Sequence, residues 1–185
     1  MLDQLTQLVQ QYGDNAVVKN AAIPNEMNEA VLKETESSLF SGLQKMASGG
    51  QFEQLAGLFQ GNNAGSASNP VVQQLVNQVS GNLGEKFGID GQAANGVASN
   101  MIPQILGSLI GKAKDPNEKG FEISDLVSAI SGGGNNSGLM DAISKYGGQF
   151  GLDQNNDGKV DMQDAMSAVT KKGGLGGLFG KLFGK

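Results

Sequence analysis

Wherever this chain carries enough apolar residues to build a core, they recur at helical spacing. Leu2, Leu5, Leu8, Val9 and Tyr12 open it that way. "IPNEMNEAVLKETESSLFSGLQKM" follows, with Pro24 and Asn25 as start signals and Val31, Leu32, Leu39, Leu43 and Met46 on one stripe. Phe52, Leu55, Leu58 and Phe59 predict a short helix in "FEQLAGLF". "VVQQLVNQVSGNLGEKFGI" and "GQAANGVASNMIPQILGSLIGKA" predict two longer ones, and Pro103 inside the second predicts a kink or a break. "GFEISDLVSAI" predicts another short helix, and "LMDAISKYG" and "DMQDAMSAVT" continue the pattern. No stretch alternates apolar and polar residues as a half-buried strand does. The expected class is all-α, and 185 residues suffice for one ordinary core or two small ones.

Composition divides the chain. "GNNAGSASNP" at 61–70 and "SGGGNNSG" at 131–138 read as linkers. On either side lie two helical units, 1–60 and 71–132, that match each other. Ile23 pairs with Ile89, Val31 with Val97, Leu39 with Ile105, Phe40 with Leu106 and Leu43 with Leu109. In the short helices Phe52 pairs with Ile123, Leu55 with Leu126 and Phe59 with Ile130, after an insertion at "KDPNEKG". The expectation is a repeated helical body. It is followed by a segment at 133–170 that carries an acidic loop, and by an amphipathic tail at 171–185.

The 29 glycines need a reason. Some fall in linkers and at helix ends. Gly42, Gly57, Gly107 and Gly111 fall within apolar helical stretches, where each costs ~1 kcal/mol relative to Ala. They read either as weak points or as places where another helix comes close.

The order of long helix, glycine, short helix and Gly-rich linker is carried best by "FGIDGQAANGVASNMIPQILGSLIGKA". It recurs in "IPNEMNEAVLKETESSLFSGLQKMA". It resembles the YidB-like bacterial proteins of unknown function, over about residues 1–132. That resemblance implies a small helical domain. It brings no assigned chemistry and no functional residues.

The chemistry of the chain concentrates in "DQNNDGKVDMQD". Counted from Asp153, the first, third and fifth places are Asp153, Asn155 and Asp157, and the sixth is Gly158. Calcium takes six to eight oxygens at ~2.3–2.6 Å, and alternate side chains of a tight loop point inward to supply them. Gly158 permits the sharp turn. Lys159 offers its backbone carbonyl, Val160 tethers the loop, Asp161 acts through a water, and Asp164 closes the shell from the next helix. An Asx turn that caps a helix accounts for one or two of these residues, but not for all of them with the glycine.

This pattern resembles the EF-hand calcium loop. Asp in place of Glu at the twelfth position brings it closest to the loops of dockerin-type modules. Gly147 and Gly148 interrupt the incoming helix of a full EF-hand. Dockerins use two such loops to bind a cohesin partner. Here the earlier copy, "DPNEKGFEISDL" (115–126), has Lys119 at the fifth place and Leu126 at the twelfth. It is expected to be an empty turn, with Asp125 capping or solvated. The expected metal ligands are therefore Asp153, Asn155, Asp157, Lys159, Asp161 and Asp164, and the ion Ca2+.

What is absent narrows the function. The net charge is −5 and all 13 basic residues are Lys, whereas bidentate recognition of phosphate and base edges favours Arg. No nucleic-acid partner is expected. Without Cys or His there are no thiolate or zinc–imidazole sites and no His-based triad. No spacing points to another catalytic set, so the chain is expected to be no enzyme. "MLDQLTQLVQQYG" has neither a basic n-region nor a long apolar run, and no segment has the ~20 apolar residues of a membrane span. The cytoplasm is the expected location, with export by a route lacking a signal peptide left open.

The tail "KKGGLGGLFGKLFGK" carries four Lys and no acid. As a helix it would place Leu175, Leu178, Phe179, Leu182 and Phe183 on one face, like an interfacial peptide. Its alternatives are packing on the body or on a second copy, and binding a membrane surface. The first functional expectation is thus a non-enzymatic, calcium-binding helical protein of structural or interaction role. The second is a membrane-surface or self-assembling protein acting through the tail.

Overall fold

The computed structural model describes residues 2–59, 63–115, 121–132, 138, 139 and 142. Among them there are six α-helices and no strand, as the apolar spacing requires. These are α1 (Leu2–Gly13), α2 (Asn28–Ser48), α3 (Phe52–Leu58), α4 (Pro70–Phe87), α5 (Gly91–Lys114) and α6 (Ile123–Ile130).

Each long helix begins where local chemistry satisfies its first amides. Asn69 caps α4 by accepting from the Val71 N–H at 2.9 Å, and Pro70 stands in the first turn, where no N–H is needed. Gly88 ends α4 in the left-handed conformation at φ 64° and donates to the Gly84 carbonyl. Two residues later Asp90 caps α5 by accepting from the Gln92 N–H at 2.9 Å. The tight cap-to-cap turn makes α4 and α5 an antiparallel hairpin.

The hairpin is half of a four-helix ring. α2 packs on α4, α1 packs on α5, and α1 and α2 touch to close it. α3 and α6 lie against the ends of α2, α4 and α5. The core runs through the ring and includes Leu5, Val31, Leu39, Leu43, Leu75, Leu83, Met101, Ile105 and Leu109, all fully or nearly fully buried. At roughly 1.5–3 kcal/mol for each large aliphatic side chain, this burial is the main stabilising term.

The matched positions of the two units fall in this core. Val31 and Val97, Leu39 and Ile105, Leu43 and Leu109, and Leu55 and Leu126 are all buried. α3 begins at Phe52 and α6 at Ile123, the position paired with it.

Pro103 does not break α5. The helix runs from Gly91 to Lys114 through it, and the ring is buried. A mid-helix proline costs ~3 kcal/mol. Its neighbours Met101, Ile102, Ile105 and Leu106 are packed on all sides, and that packing holds the helix across the missing bond. The stretch whose composition reads as a linker is also partly built into the body. Asn63–Gly65 forms a 3-10 turn, Ala64 is buried, and Gly65 lies against α5.

The interior glycines separate into two kinds. A Cβ on Gly42 would sit 2.5 Å from Leu75 Cδ2, and one on Gly107 would sit 3.1 Å from the Gly65 Cα. These mark close approach. Gly57 and Gly111 have nothing within 4 Å of such a Cβ, so they simply weaken their helices.

Candidate functional site

Asp153, Asn155, Asp157, Lys159, Asp161 and Asp164 lie outside the described residues, as does the whole of 171–185. The segment leading toward the acidic loop is described at Gly138, Leu139 and Ala142, all helical. Leu139 is buried at 1% exposure and Ala142 is buried beside the core. Gly138 lies so near Phe52 that a Cβ would come within 2.6 Å of the ring. The chain therefore returns to the body shortly before its metal-ligand pattern begins.

The 115–126 stretch is described at both ends, with 116–120 outside the described residues. Asp115 follows α5 with an extended backbone. Asp125 accepts from the Glu122 N–H at 2.9 Å, and Glu122 returns the bond to complete a capping box at the start of α6. Ile123 and Leu126 point into the core. The Asp125 carboxylate thus has a capping role, and the twelfth place is an apolar core contact. Among the described residues no three Asp, Glu, His or Cys side chains gather as a metal site.

Polar contacts also tie the ring together. Between α2 and α4, Ser38 Oγ donates to Glu34 at 2.7 Å and accepts from Asn82 Nδ2 at 2.8 Å. Gln78 Nε2 donates to the Ser38 carbonyl at 3.1 Å, and Lys86 pairs with Glu34 at 2.5 Å. Each member has its partner, so the seam reads as a strut. Between α1 and α5, the Tyr12 hydroxyl meets Ser108 Oγ at 2.6 Å. On the surface of α2, Lys33 donates to Glu29 and holds its carboxyl below the usual range, while Glu29 raises the Lys33 ammonium. Burial pushes the Lys114 ammonium down.

A different surface lies between α4 and α5. A shallow cavity of about 250 Å³ opens there, lined by Ala67, Gln73, Val76, Asn77, Ser99 and Pro103. Gln73 spends its amide on the Ala67 carbonyl at 3.3 Å, which leaves its own carbonyl oxygen as an acceptor. Asn77 is exposed, and its side chain makes no hydrogen bond to any described residue. Pro103 has no N–H, so the Ser99 carbonyl lacks its normal helical partner. No charged residue occurs from Gln54 to Gly84 or from Gly91 to Gly111. This groove was not anticipated from the sequence. Its one signal there is the run of uncharged residues in an acidic chain, combined with a proline four places after a serine.

Comparison with protein-family models, with curated proteins and with solved structures finds no match for this chain.

Proposed function

We propose that this chain is a non-enzymatic calcium-binding protein whose single ion site, at 153–164, orders the segment that follows a repeated helical body. One observation carries the reading. Asp153, Asn155, Asp157, Asp161 and Asp164 stand at the oxygen-bearing places of a calcium loop, with Gly158 at its turn. Four carboxylates in so short a stretch repel one another until a cation screens them. The burial of Leu139 and Ala142 supports an anchored entry to the loop. The capping role of Asp125 and the burial of Leu126 support one site rather than two. The paired core positions of α2 and α5, and the shared start of α3 and α6, support duplication of the body.

The testing experiment is differential scanning calorimetry of the full chain with and without calcium. A ligand held only by the folded state raises the melting temperature, by about 2.7 kcal/mol of added stability at a hundredfold excess over Kd. Asp157→Ala should remove that increase. An unchanged melting temperature in the parent chain at millimolar calcium would overturn the proposal.

A further inference from the structure

The groove between α4 and α5 has its own chemistry, independent of the acidic loop. Its walls select by what they lack as well as by what they offer. Among the described residues no charged side chain lines it, and none occurs on α4 before Glu85 or on α5 before Lys112. An anion or cation placed there would lose hydration and gain no counter-charge. A hydrocarbon would leave the carboxamides of Gln73 and Asn77 without partners at its contact face, which costs more than the burial returns in so shallow a site. A nucleobase would need an aromatic or guanidinium plane to stack on, and the described lining residues offer neither.

We propose that this groove takes the ring of an uncharged sugar. Each hydroxyl of such a ring both donates and accepts. Asn77 offers two donors and an acceptor, Gln73 an accepting carbonyl, and Ser99 its backbone carbonyl, which Pro103 leaves without a helical bond. Ser99 Oγ donates to the Asn95 carbonyl at 2.7 Å, which leaves its lone pairs to accept. Val76, Pro103 and Ala67 give an apolar floor for the C–H face of the ring. Pro103 therefore has two parts in the site: it provides floor, and it frees an acceptor. At about 250 Å³ the cavity lies just under the ~300 Å³ at which small-molecule pockets begin, so it holds one ring and leaves the rest of a chain in solvent.

Such a shallow polar site binds weakly, with Kd in the millimolar range. The test is a heteronuclear NMR titration of the full chain with glucose, N-acetylglucosamine and maltotriose. Glucuronate and glucosamine serve as charged counterparts, and N-methylacetamide mimics a peptide bond. The side-chain amide signals of Gln73 and Asn77 and the backbone amide of Ser99 should shift and saturate with at least one neutral sugar. Asn77 is exposed, so Asn77→Leu should keep the fold and weaken that binding at least about fivefold, the loss expected for one or two hydrogen bonds. The isosteric Asn77→Asp should weaken it as well, without creating affinity for glucuronate. The proposal is overturned if no neutral sugar moves these signals at about 50 mM, well above a millimolar Kd. It is equally overturned if Asn77→Leu binds as the parent does, or if a charged sugar or N-methylacetamide binds as well as the neutral one. Shifts of the same signals with protein concentration alone would assign the groove to a second copy and overturn it too.

Discussion

Gly42 of α2 faces Leu75 of α4 so closely that a methyl group on Gly42 would come 2.5 Å from Leu75 Cδ2. Leu75 is 1% exposed and cannot swing away without disturbing the core. Gly81, also in a helix interior, has nothing within 4 Å of such a methyl. The two positions should therefore respond to alanine with opposite sign. Gly81→Ala gains ~0.5–1 kcal/mol, because glycine is costly in the unfolded-to-helix transition and no contact opposes the change. Gly42→Ala gains the same propensity but loses ~1–3 kcal/mol to overpacking, for a net loss. Urea denaturation of the two variants checks both signs.

The Ser38 strut makes a second prediction. Ser38 is 3% exposed, and its hydroxyl is shared by Glu34 and Asn82. Ser38→Ala leaves the Asn82 amide without that acceptor inside the α2–α4 seam. The loss should be ~1–2 kcal/mol, with an unchanged denaturant slope because the surface exposed on unfolding is the same. Asn82→Ala should overlap with it, so the double variant should lose less than the sum of the two.

On the surface, Glu29 and Lys33 predict a small acid-limb effect. Lys33 donates to the Glu29 carboxyl and holds it below its ordinary value of 4.5, by the hydrogen bond first and by its charge second. A carboxyl depressed in the folded state stabilises above its unfolded value, and that contribution is lost as pH falls through the folded value. Glu29→Gln should accordingly lower stability slightly at neutral pH, leave the region below the folded value almost unchanged, and so flatten the acid limb of the stability–pH curve. Denaturant midpoints measured above and below 4.5 test this, and the difference should shrink in high salt because both groups are exposed.

For the tail, Leu175, Leu178, Phe179, Leu182 and Phe183 are too many apolar residues to stay in water without consequence. Six glycines weaken a free helix there, each by ~1 kcal/mol. Packing against protein can use close approach at glycine, whereas a lipid interface gains nothing from it. Truncation after Thr170 is thus expected to lower the melting temperature or change the oligomer size. Loss of binding to anionic vesicles instead, with fold and size unchanged, would assign the tail to a membrane surface. Sedimentation of both chains with and without vesicles distinguishes the outcomes.

The helices were legible because core burial imposes a period, and the stripes of Val31, Leu39, Leu43 and Met46 record it directly. The caps at Asn69–Pro70 and Asp90 are local chemistry as well, but were not anticipated from the sequence. What depended on distant residues was not legible. Pro103 signals a break when read locally, and only the packing around Met101 and Leu106 shows why the helix continues. "GNNAGSASNP" reads as a linker, and the approach of Gly65 to Gly107 is a tertiary fact. Leu2 belongs to the α1 stripe yet is 53% exposed, because it lies beyond the edge of the ring. The proposed calcium loop is a reading of another kind: ion coordination would dictate residue types at fixed places in one short segment, and that segment lies outside the described residues. The α4–α5 groove joins Gln73 and Asn77 to Ser99 and Pro103 across a hairpin, and no local pattern announces that meeting.

The most direct test of the central claim is isothermal titration of calcium into the full chain, repeated with magnesium as competitor and with Asp153→Ala and Asp157→Ala. The account predicts one calcium per chain, weak competition by magnesium, whose strict octahedral geometry suits this loop poorly, and no binding in either variant. A stoichiometry of zero would contradict it, and a stoichiometry of two would contradict the reading of 115–126 as an empty turn.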